Sequence, residues 1–325
     1  MSGKIWSVLL HLGGNMWNEE GNIRGRESCP DAVASQKLRF SRPVWDRYLK
    51  RLAGMGVNMI VLDVGEGLRY ESHPELAVEG SWGREDLVRE LGAMRAMGFE
   101  VIPKLNFSAC HDVWLRDYAR MLSTPVYYEV VSDLIREVSE IFRPRFFHLG
   151  MDEETAGHQR DYDYCVIRQH DLWWHDFYYM TSCVEREGAR AWIWSDYIWG
   201  HRDEFLAKMP KSVIQSNWYY NREFAGPDLT PALSNMLTAF DALDRAGFDQ
   251  VPTGSNWAYR ENMESLTAYC MEHVSDEHLL GFMQTPWVLT LEANEDRMNE
   301  AADAFADAKR RYEAGRTGCE KGDAQ

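Results

Sequence analysis

Residues 145–154 read Arg145-Phe146-Phe147-His148-Leu149-Gly150-Met151-Asp152-Glu153-Glu154. A short apolar run ends abruptly in a histidine, a glycine and three consecutive acids. A strand with acids at its tip is what a barrel enzyme requires, because active sites there sit at the carboxyl ends of the strands. Adjacent carboxylates point to opposite sides of a strand, or are splayed by a turn. One can then hold a substrate group while the other transfers protons. Taken alone, the same residues also fit a solvated acidic turn after a buried strand.

The rest of the chain favours the barrel. Apolar runs that read as buried parallel strands occur at Ile5–Leu10, Val57–Val64, Phe99–Phe107, the stretch above, Ala191–Ser195, Val213–Ser216, Phe248–Pro252 and Leu279–Gln284. Helical segments are expected between most of them: from Pro43 to Met55, Arg84 to Met97, Thr124-Pro125 to Phe142, Asp171 to Glu187, Pro231 to Ala246, Asn262 to Val274, and finally Asn294 to Ala314. Proline opens and glycine closes several of these segments. Eight strands alternating with helices demand a parallel sheet, and eight units let it close on itself. The expected fold is α/β, a single-domain (β/α)8 TIM barrel over residues 1–315, with long loops after strands one and two. Residues 316–325 are expected as a disordered tail. An open doubly wound sheet would carry a glycine-rich phosphate turn before a helix, and Gly13-Gly14 is not one.

Bulk properties narrow the function. The formal net charge of the 325 residues is -16, which repels phosphate backbones and anionic membranes, so nucleic acid is not an expected partner. No run of about eighteen apolar residues suggests a membrane span. Met1–Leu10 lacks the length and cleavage site of a signal peptide, so a cytoplasmic location is expected unless a leader has been removed. The six cysteines form no C-x-x-C pair and read as free thiols in a reducing compartment. No motif bears on oligomeric state.

The strand tips carry Asp63, Asn106, His111, His148, Asp152, Glu153, Asp196, Asn217, Trp218, Asn256, Gln284 and Trp287, with few lysines or arginines. Amides and carboxylates hydrogen-bond hydroxyl groups, and flat indoles stack on the C–H faces of sugars. Any one tryptophan here fits packing better than a sugar platform. Several at the tips of different strands do not, since exposed apolar surface costs about 25 cal/mol per Å². A neutral carbohydrate substrate is expected.

The motifs also resemble a known family. Pro74-Glu75-Leu76, Gly80-Ser81-Trp82, Val101-Ile102-Pro103, His111 and His148-Leu149-Gly150-Met151-Asp152-Glu153 follow the order seen in family 20 glycoside hydrolases. These are β-N-acetylhexosaminidases with a (β/α)8 catalytic barrel and the fourth-strand signature His-x-Gly-Gly-Asp-Glu. The resemblance extends more weakly to Trp194-Ser195-Asp196 and Gly281-x-x-Gln284-x-x-Trp287, and spans roughly residues 57 to 290. It implies exo-acting, retaining, substrate-assisted hydrolysis, an exception to the two-carboxylate scheme, with no cofactor and no metal. By motif position it implies Glu153 as general acid and base, and Asp152 as the group orienting a 2-acetamido substituent. Around them it implies substrate-binding roles for His111, His148, Asp196, Trp218, Tyr219, Trp257, Gln284 and Trp287, with Tyr219 or Tyr197 donating to the acetamido carbonyl. Like charge and burial are expected to raise one acid's pKa while hydrogen bonds keep the other ionised.

The segment before His111 is one residue longer than the family pattern, and the chain departs from it at four further places. Met151 stands at the second glycine, so the backbone there is expected not to need positive φ, or else to differ locally. Asn106 replaces an acid. No arginine follows the first strand at the sugar-clamping place, which leaves Arg24 or Arg26 in the loop. Val288, not an acid, follows Trp287, with Glu292 a distant substitute. Two other functions fit the same tips. A divalent-metal-dependent sugar isomerase or lyase would use Asp63, His111, His148, Asp152, Glu153 and Asp196 as ligands. A non-catalytic carbohydrate-binding barrel would explain Met151 and Asn106.

Overall fold

The computed structural model of the chain describes residues 3–19, 32–159, 165–166 and 168–322, with side chains to residue 316. Eight parallel strands run in the order β6-β5-β4-β3-β2-β1-β8-β7. They are β1 (Ile5–His11), β2 (Met59–Asp63), β3 (Glu100–Lys104), β4 (Phe146–His148), β5 (Arg190–Trp194), β6 (Ile214–Ser216), β7 (Thr253–Gly254) and β8 (Gly281–Gln284). The two ends of that order meet through the parallel bridges Gln215–Gln250 and Trp218–Thr253, so the sheet closes into the expected (β/α)8 barrel.

Alternation along each strand explains what fills it. Ile5, Leu9, Met59, Val61, Ile102, Phe146, Trp192, Trp194, Ile214, Val251 and Met283 form one enclosed apolar cluster inside the barrel. The intervening residues face the helices and join the larger outer core. Because the side-chain period is two, Asp63 follows Val61 inward, Lys104 follows Ile102, His148 follows Phe146 and His11 follows Leu9. A polar layer thus lies inside the barrel at the carboxyl ends of β1–β4.

The outer ring comprises α1 (Arg42–Gly54), α2 (Arg84–Ala96), α3 (Pro125–Phe142), α4 (Asp171–Arg186), α5 (Arg202–Lys208), α6 (Pro231–Arg245), α7 (Asn262–His273) and α8 (Glu295–Gly322). Three start alike: Ser41, Thr124 and Thr230 cap α1, α3 and α6 with a side-chain oxygen, each followed by proline in the first turn. That pairing satisfies an orphan N–H and spends proline where its missing donor costs nothing.

Three elements differ from expectation. The seventh strand is Thr253–Gly254 and not Phe248–Pro252; Phe248 is fully buried in the outer core, and the chain reaches the sheet first through Gln250. Helix α5 occupies the β5–β6 connection, for which no helix was expected. Helix α8 runs on to Gly322, into the stretch 316–325 where a disordered tail was expected; residues 323–325 lie outside the described residues.

The two long loops brace each other over the mouth. The Glu66 carboxylate accepts from Gly14 N at 2.8 Å and from Asn15 N at 3.1 Å, and Leu38 N donates to Glu79 O at 2.9 Å. Arg24 and Arg26 lie outside the described residues. No described helix is long and apolar enough to cross a membrane.

Candidate active site

Strand β4 ends at His148, and the chain then makes an unusual turn. Gly150, Met151 and Glu153 have φ of +74°, +73° and +55°. At Gly150 a Cβ would sit 2.1 Å from Asn106 Oδ1, so only glycine fits between β4 and the tip of β3. Met151 overturns one expectation: its backbone takes the positive φ that a family glycine would take. Such a conformation costs on the order of 1–3 kcal/mol in a non-glycine residue. Burial holds it there, since the Met151 side chain is 1% exposed and its Sδ accepts from Arg168 Nη2 at 3.7 Å.

Arg168 anchors the turn from behind. It is fully buried, pairs with Glu154 at 2.5 Å and with Asp176 at 3.2 Å, and donates to Phe107 O. Glu154 also accepts from Ala109 N at 3.0 Å. The third acid of the opening stretch is therefore structural. Its neutralisation leaves Asp152 and Glu153 as the pair that faces outward.

Those two carboxylates share one histidine. His111 Nε2 lies 3.0 Å from Glu153 Oε2 and 3.4 Å from Asp152 Oδ2. His158 Nε2 is 3.4 Å from Glu153 Oε2. Asp196 Oδ2 accepts from Glu153 N at 2.8 Å. Asn106 Nδ2 donates to Asp152 Oδ1 at 3.2 Å, and its Oδ1 accepts from Ser108 N at 3.0 Å. The amide has a physical role here: an acid at 106 would meet Asp152 with like charge, whereas Asn106 gives it a hydrogen bond.

The electrostatics follow. Burial disfavours a charged His111, but the Asp152 and Glu153 carboxylates outweigh it and raise its pKa to about 9. Burial pushes the Glu153 carboxyl up, yet the His111 hydrogen bond and the His111 and His158 charges bring it below the ordinary value. Asp152 is raised, first by burial, with His111 opposing and Glu153 adding like charge. Asp196 is raised too, by burial and then by Asp152. The two neighbouring acids are thus pushed apart: Asp152 is the raised member, while Glu153 is lowered by its contact with His111.

The acid pair opens into a cavity of about 570 Å³. Asn106, His111, Asp152 and Glu153 line its base, and Trp17, Trp194, Trp218, Tyr220, Trp257 and Trp287 form walls. Trp218 and Tyr220 stack at 4.9 Å and 24°. Trp287 holds φ +50° and lies 5.9 Å from Trp194 and 5.7 Å from His11.

Of the residues expected from sequence, Asp152, Glu153, His111, Trp218, Trp257 and Trp287 line this cavity. Asp196 meets it through the Glu153 backbone. His148 and Gln284 are fully buried beneath the floor, His148 against Trp192 and Trp194. Tyr219 is a correction: its ring packs on Phe224 and its hydroxyl donates to Glu223 O, away from the cavity. Tyr197 is also turned elsewhere, stacked between Trp173 and His201. Tyr220 lines the cavity in their place, two residues after Trp218 and hence on the same side of the chain; that periodicity was the available signal. Glu292 bonds to Ser41 Oγ and is not a lining residue. The cavity instead gains Arg297 from α8. Its guanidinium lies 4.7 Å from the Trp257 ring and donates to Trp257 O at 2.7 Å. No sequence pattern marked it.

No protein-family model matches the chain. It is 20% identical over 210 residues to a lacto-N-biosidase of Bifidobacterium bifidum, covering 56% of this chain and 18% of that protein. Its fold is similar to a family 20 exo-β-N-acetylglucosaminidase from Vibrio harveyi, with a TM-score of 0.64 at 13% identity, over 94% of this chain and 54% of the other. The family 20 β-N-acetylhexosaminidase of Streptomyces coelicolor A3(2) gives 0.64 at 12% identity, over 94% and 64%. Flavobacterium johnsoniae chitobiase gives 0.58 at 18%, over 86% and 49%. The chain thus spans less than two thirds of each of these relatives. The divergent likeness to family 20 barrels read from the β4 motif extends to the fold as a whole.

Proposed function

We propose that this chain is an exo-acting, retaining glycoside hydrolase of the β-N-acetylhexosaminidase type, with a neutral 2-acetamido sugar as substrate. The observation that carries the proposal is the pair Asp152–Glu153, bridged by His111 at the base of a tryptophan-walled cavity. A sugar ring stacks against the indoles and presents its anomeric carbon to the pair. The acetamido carbonyl oxygen attacks that carbon from within the substrate, forming a cyclic oxazolinium as the glycosidic bond breaks. Ionised Asp152, fixed by Asn106, accepts the acetamido N–H and balances the positive charge that develops. Tyr220 is the cavity's phenol donor to the carbonyl oxygen.

Glu153 protonates the departing oxygen and then takes a proton from the water that opens the oxazolinium, giving net retention. Its low pKa in the unliganded protein means that the proton for the first step is stored on His111, one hydrogen bond away. A sugar that expels water from the cavity disfavours the separated charges of the His111–Glu153 ion pair and returns the proton to Glu153.

Hydrolysis of nitrophenyl 2-acetamido-2-deoxy-β-glycosides, measured beside their 2-hydroxy counterparts, tests this. Turnover of the 2-acetamido compounds alone is expected, falling by about 10²–10⁴-fold in Glu153→Gln. Activity undiminished in Glu153→Gln would remove the general acid, and activity undiminished in Asp152→Asn would remove assistance by the acetamido group.

A further inference from the structure

Away from the cavity, the loop that follows the acid pair ends in a second cluster. His170 stands immediately before α4, and His201 and Glu204 open α5. One ligand atom from each of the three lies within 4.8 Å of the others. Glu204 Oε2 is 3.8 Å from His170 Nδ1 and 3.9 Å from His201 Nδ1. These gaps are too long for hydrogen bonds, so the three groups converge without bonding one another. A tetrahedral or octahedral divalent ion with bonds of about 2.0–2.2 Å needs ligand atoms roughly 3–3.5 Å apart. Closure by less than 1 Å on each measured pair reaches that spacing.

The surroundings orient the set. His201 and Glu204 are three residues apart at the start of one helix and so share a face. The His201 ring stacks on Tyr197 at 4.2 Å and 17°, and the hydroxyl of the same Tyr197 accepts from His170 N at 3.1 Å. His170 takes φ +52° to reach this place. Lys208 Nζ grips Glu204 Oε1 at 2.8 Å, which leaves Oε2 to the histidines, and Asp171 at 2.9 Å balances the lysine's charge. The His170 side chain is 71% exposed, which leaves room for water in a fourth position.

We propose that His170, His201 and Glu204 form a binding site for a divalent transition metal ion, of which Zn²⁺ is the natural probe. Two imidazoles and one carboxylate suit Zn²⁺, Ni²⁺ or Cu²⁺, whereas Mg²⁺ and Ca²⁺ prefer all-oxygen shells. The ion ties the start of α4 to the start of α5. It thereby clamps the far end of the β4–α4 connection, whose near end carries Asp152 and Glu153. The site does not depend on the proposed hydrolase activity.

The test is calorimetric titration of ZnCl2 into tag-free, chelator-dialysed full-length protein, with thermal melting followed in parallel. One ion per chain is expected to bind with a midpoint below about 100 µM and to raise the melting temperature. Loss of a hydrogen-bonded support for a ligand typically costs 10–100-fold in affinity, so His170→Ala and His201→Ala, each losing a ligand itself, should weaken binding at least tenfold. Glu204→Gln should also weaken it, and Lys208→Ala, which removes a support of Glu204 but no ligand, should weaken it less than either histidine variant. Circular dichroism of the metal-free variants checks that each is folded. The proposal fails if the parent protein binds no Zn²⁺ in this range. It fails equally if binding survives in the folded His170→Ala/His201→Ala double variant, which would assign the ion to the thiols or to the acid pair.

Discussion

Two polar clusters sit at the carboxyl end of the barrel, one above the other, and they are built from the same residue types to opposite effect. The lower one comprises His11, Asp63, Lys104 and His148. It is closed: Lys104 Nζ bonds to Asp63 with both side chains buried, and His11 Nδ1 lies 3.6 Å from the same carboxylate. Burial lowers the His11 pKa to about 4, against the pull of Asp63, and takes His148 well below its ordinary value, with Lys104 adding to the effect. The cluster is thus one neutral ion pair and two neutral rings. The upper one sets the acids Asp152, Glu153 and Asp196 against the single imidazolium of His111 and opens to solvent. Charges that cancel locally build structure. Acids whose pKa values burial and mutual repulsion push apart, held at the base of a cavity, are groups of the kind that functional sites use.

The sharpest way to break this contrast is to uncouple the lower pair. Lys104→Met leaves Asp63 buried without its cation and should cost about 3–5 kcal/mol of stability, read as a shift in the denaturant midpoint. Lys104→Met combined with Asp63→Leu removes both charges and should recover most of that loss, because a buried ion pair is often no better than apolar packing. By contrast, Glu153→Gln should abolish most turnover, with a smaller loss of stability, because His111 keeps Asp152 as a charged partner. If Lys104→Met left stability intact and removed activity, the lower cluster would belong to the site and the two clusters would be one.

The pH dependence of turnover sharpens the same comparison. The His111–Glu153 pair is active when it holds one proton in total. As pH rises through the raised His111 pKa of about 9, that proton is lost, and kcat/KM should fall about tenfold per pH unit. On the acid side, activity should fall as Asp152 takes up a proton, at a pH above the usual aspartate range because burial raises its pKa. His111→Asn should move the alkaline limb to lower pH, since Glu153 then holds the proton unaided. An alkaline limb unmoved in His111→Asn would rule out proton storage on the imidazole. Stability should follow the same group. The folded pKa lies above the unfolded value of 6.5, so the contribution is full below about pH 6.5 and is lost as pH rises towards 9.

Much of this was legible in the sequence, for physical reasons that also account for the misses. The barrel followed from apolar runs of parallel-strand type alternating with helices opened by Pro and closed by Gly. The position of Asp152 and Glu153 at the mouth of the barrel followed from their place at a strand tip. Strand β7 was misplaced because Phe248 and Val251 make a short apolar run that serves helix packing and barrel lining in turn, leaving only Thr253–Gly254 as ladder. Met151 misled because tertiary packing around its side chain outweighs the local preference against positive φ. Tyr219 and Tyr197 fail as lining residues, whereas alternation from Trp218 points to Tyr220. Arg297 and the cluster at His170, His201 and Glu204 depend on contacts between distant segments, for which spacing along the chain carries no signature.

The smallest expected effect concerns the cavity's rim. Trp257 is 53% exposed, the most exposed large apolar side chain of the cavity wall, and Arg297 covers one face of its ring. Trp194 is 1% exposed and belongs to the barrel interior. Truncating Trp257 therefore removes a stacking surface without opening the core. Trp257→Ala should leave the melting temperature nearly unchanged and raise KM by about two- to tenfold, the kinetic equivalent of about 0.5–1.5 kcal/mol of aromatic contact. If the indole binds the ground state and the transition state equally, kcat stays as it was. An equal fall in kcat and kcat/KM would instead give Trp257 an interaction made only in the transition state. The rim would then join the acid pair as part of the chemistry, and the boundary between binding surface and reacting centre would lie further out than the geometry of Asp152 and Glu153 implies.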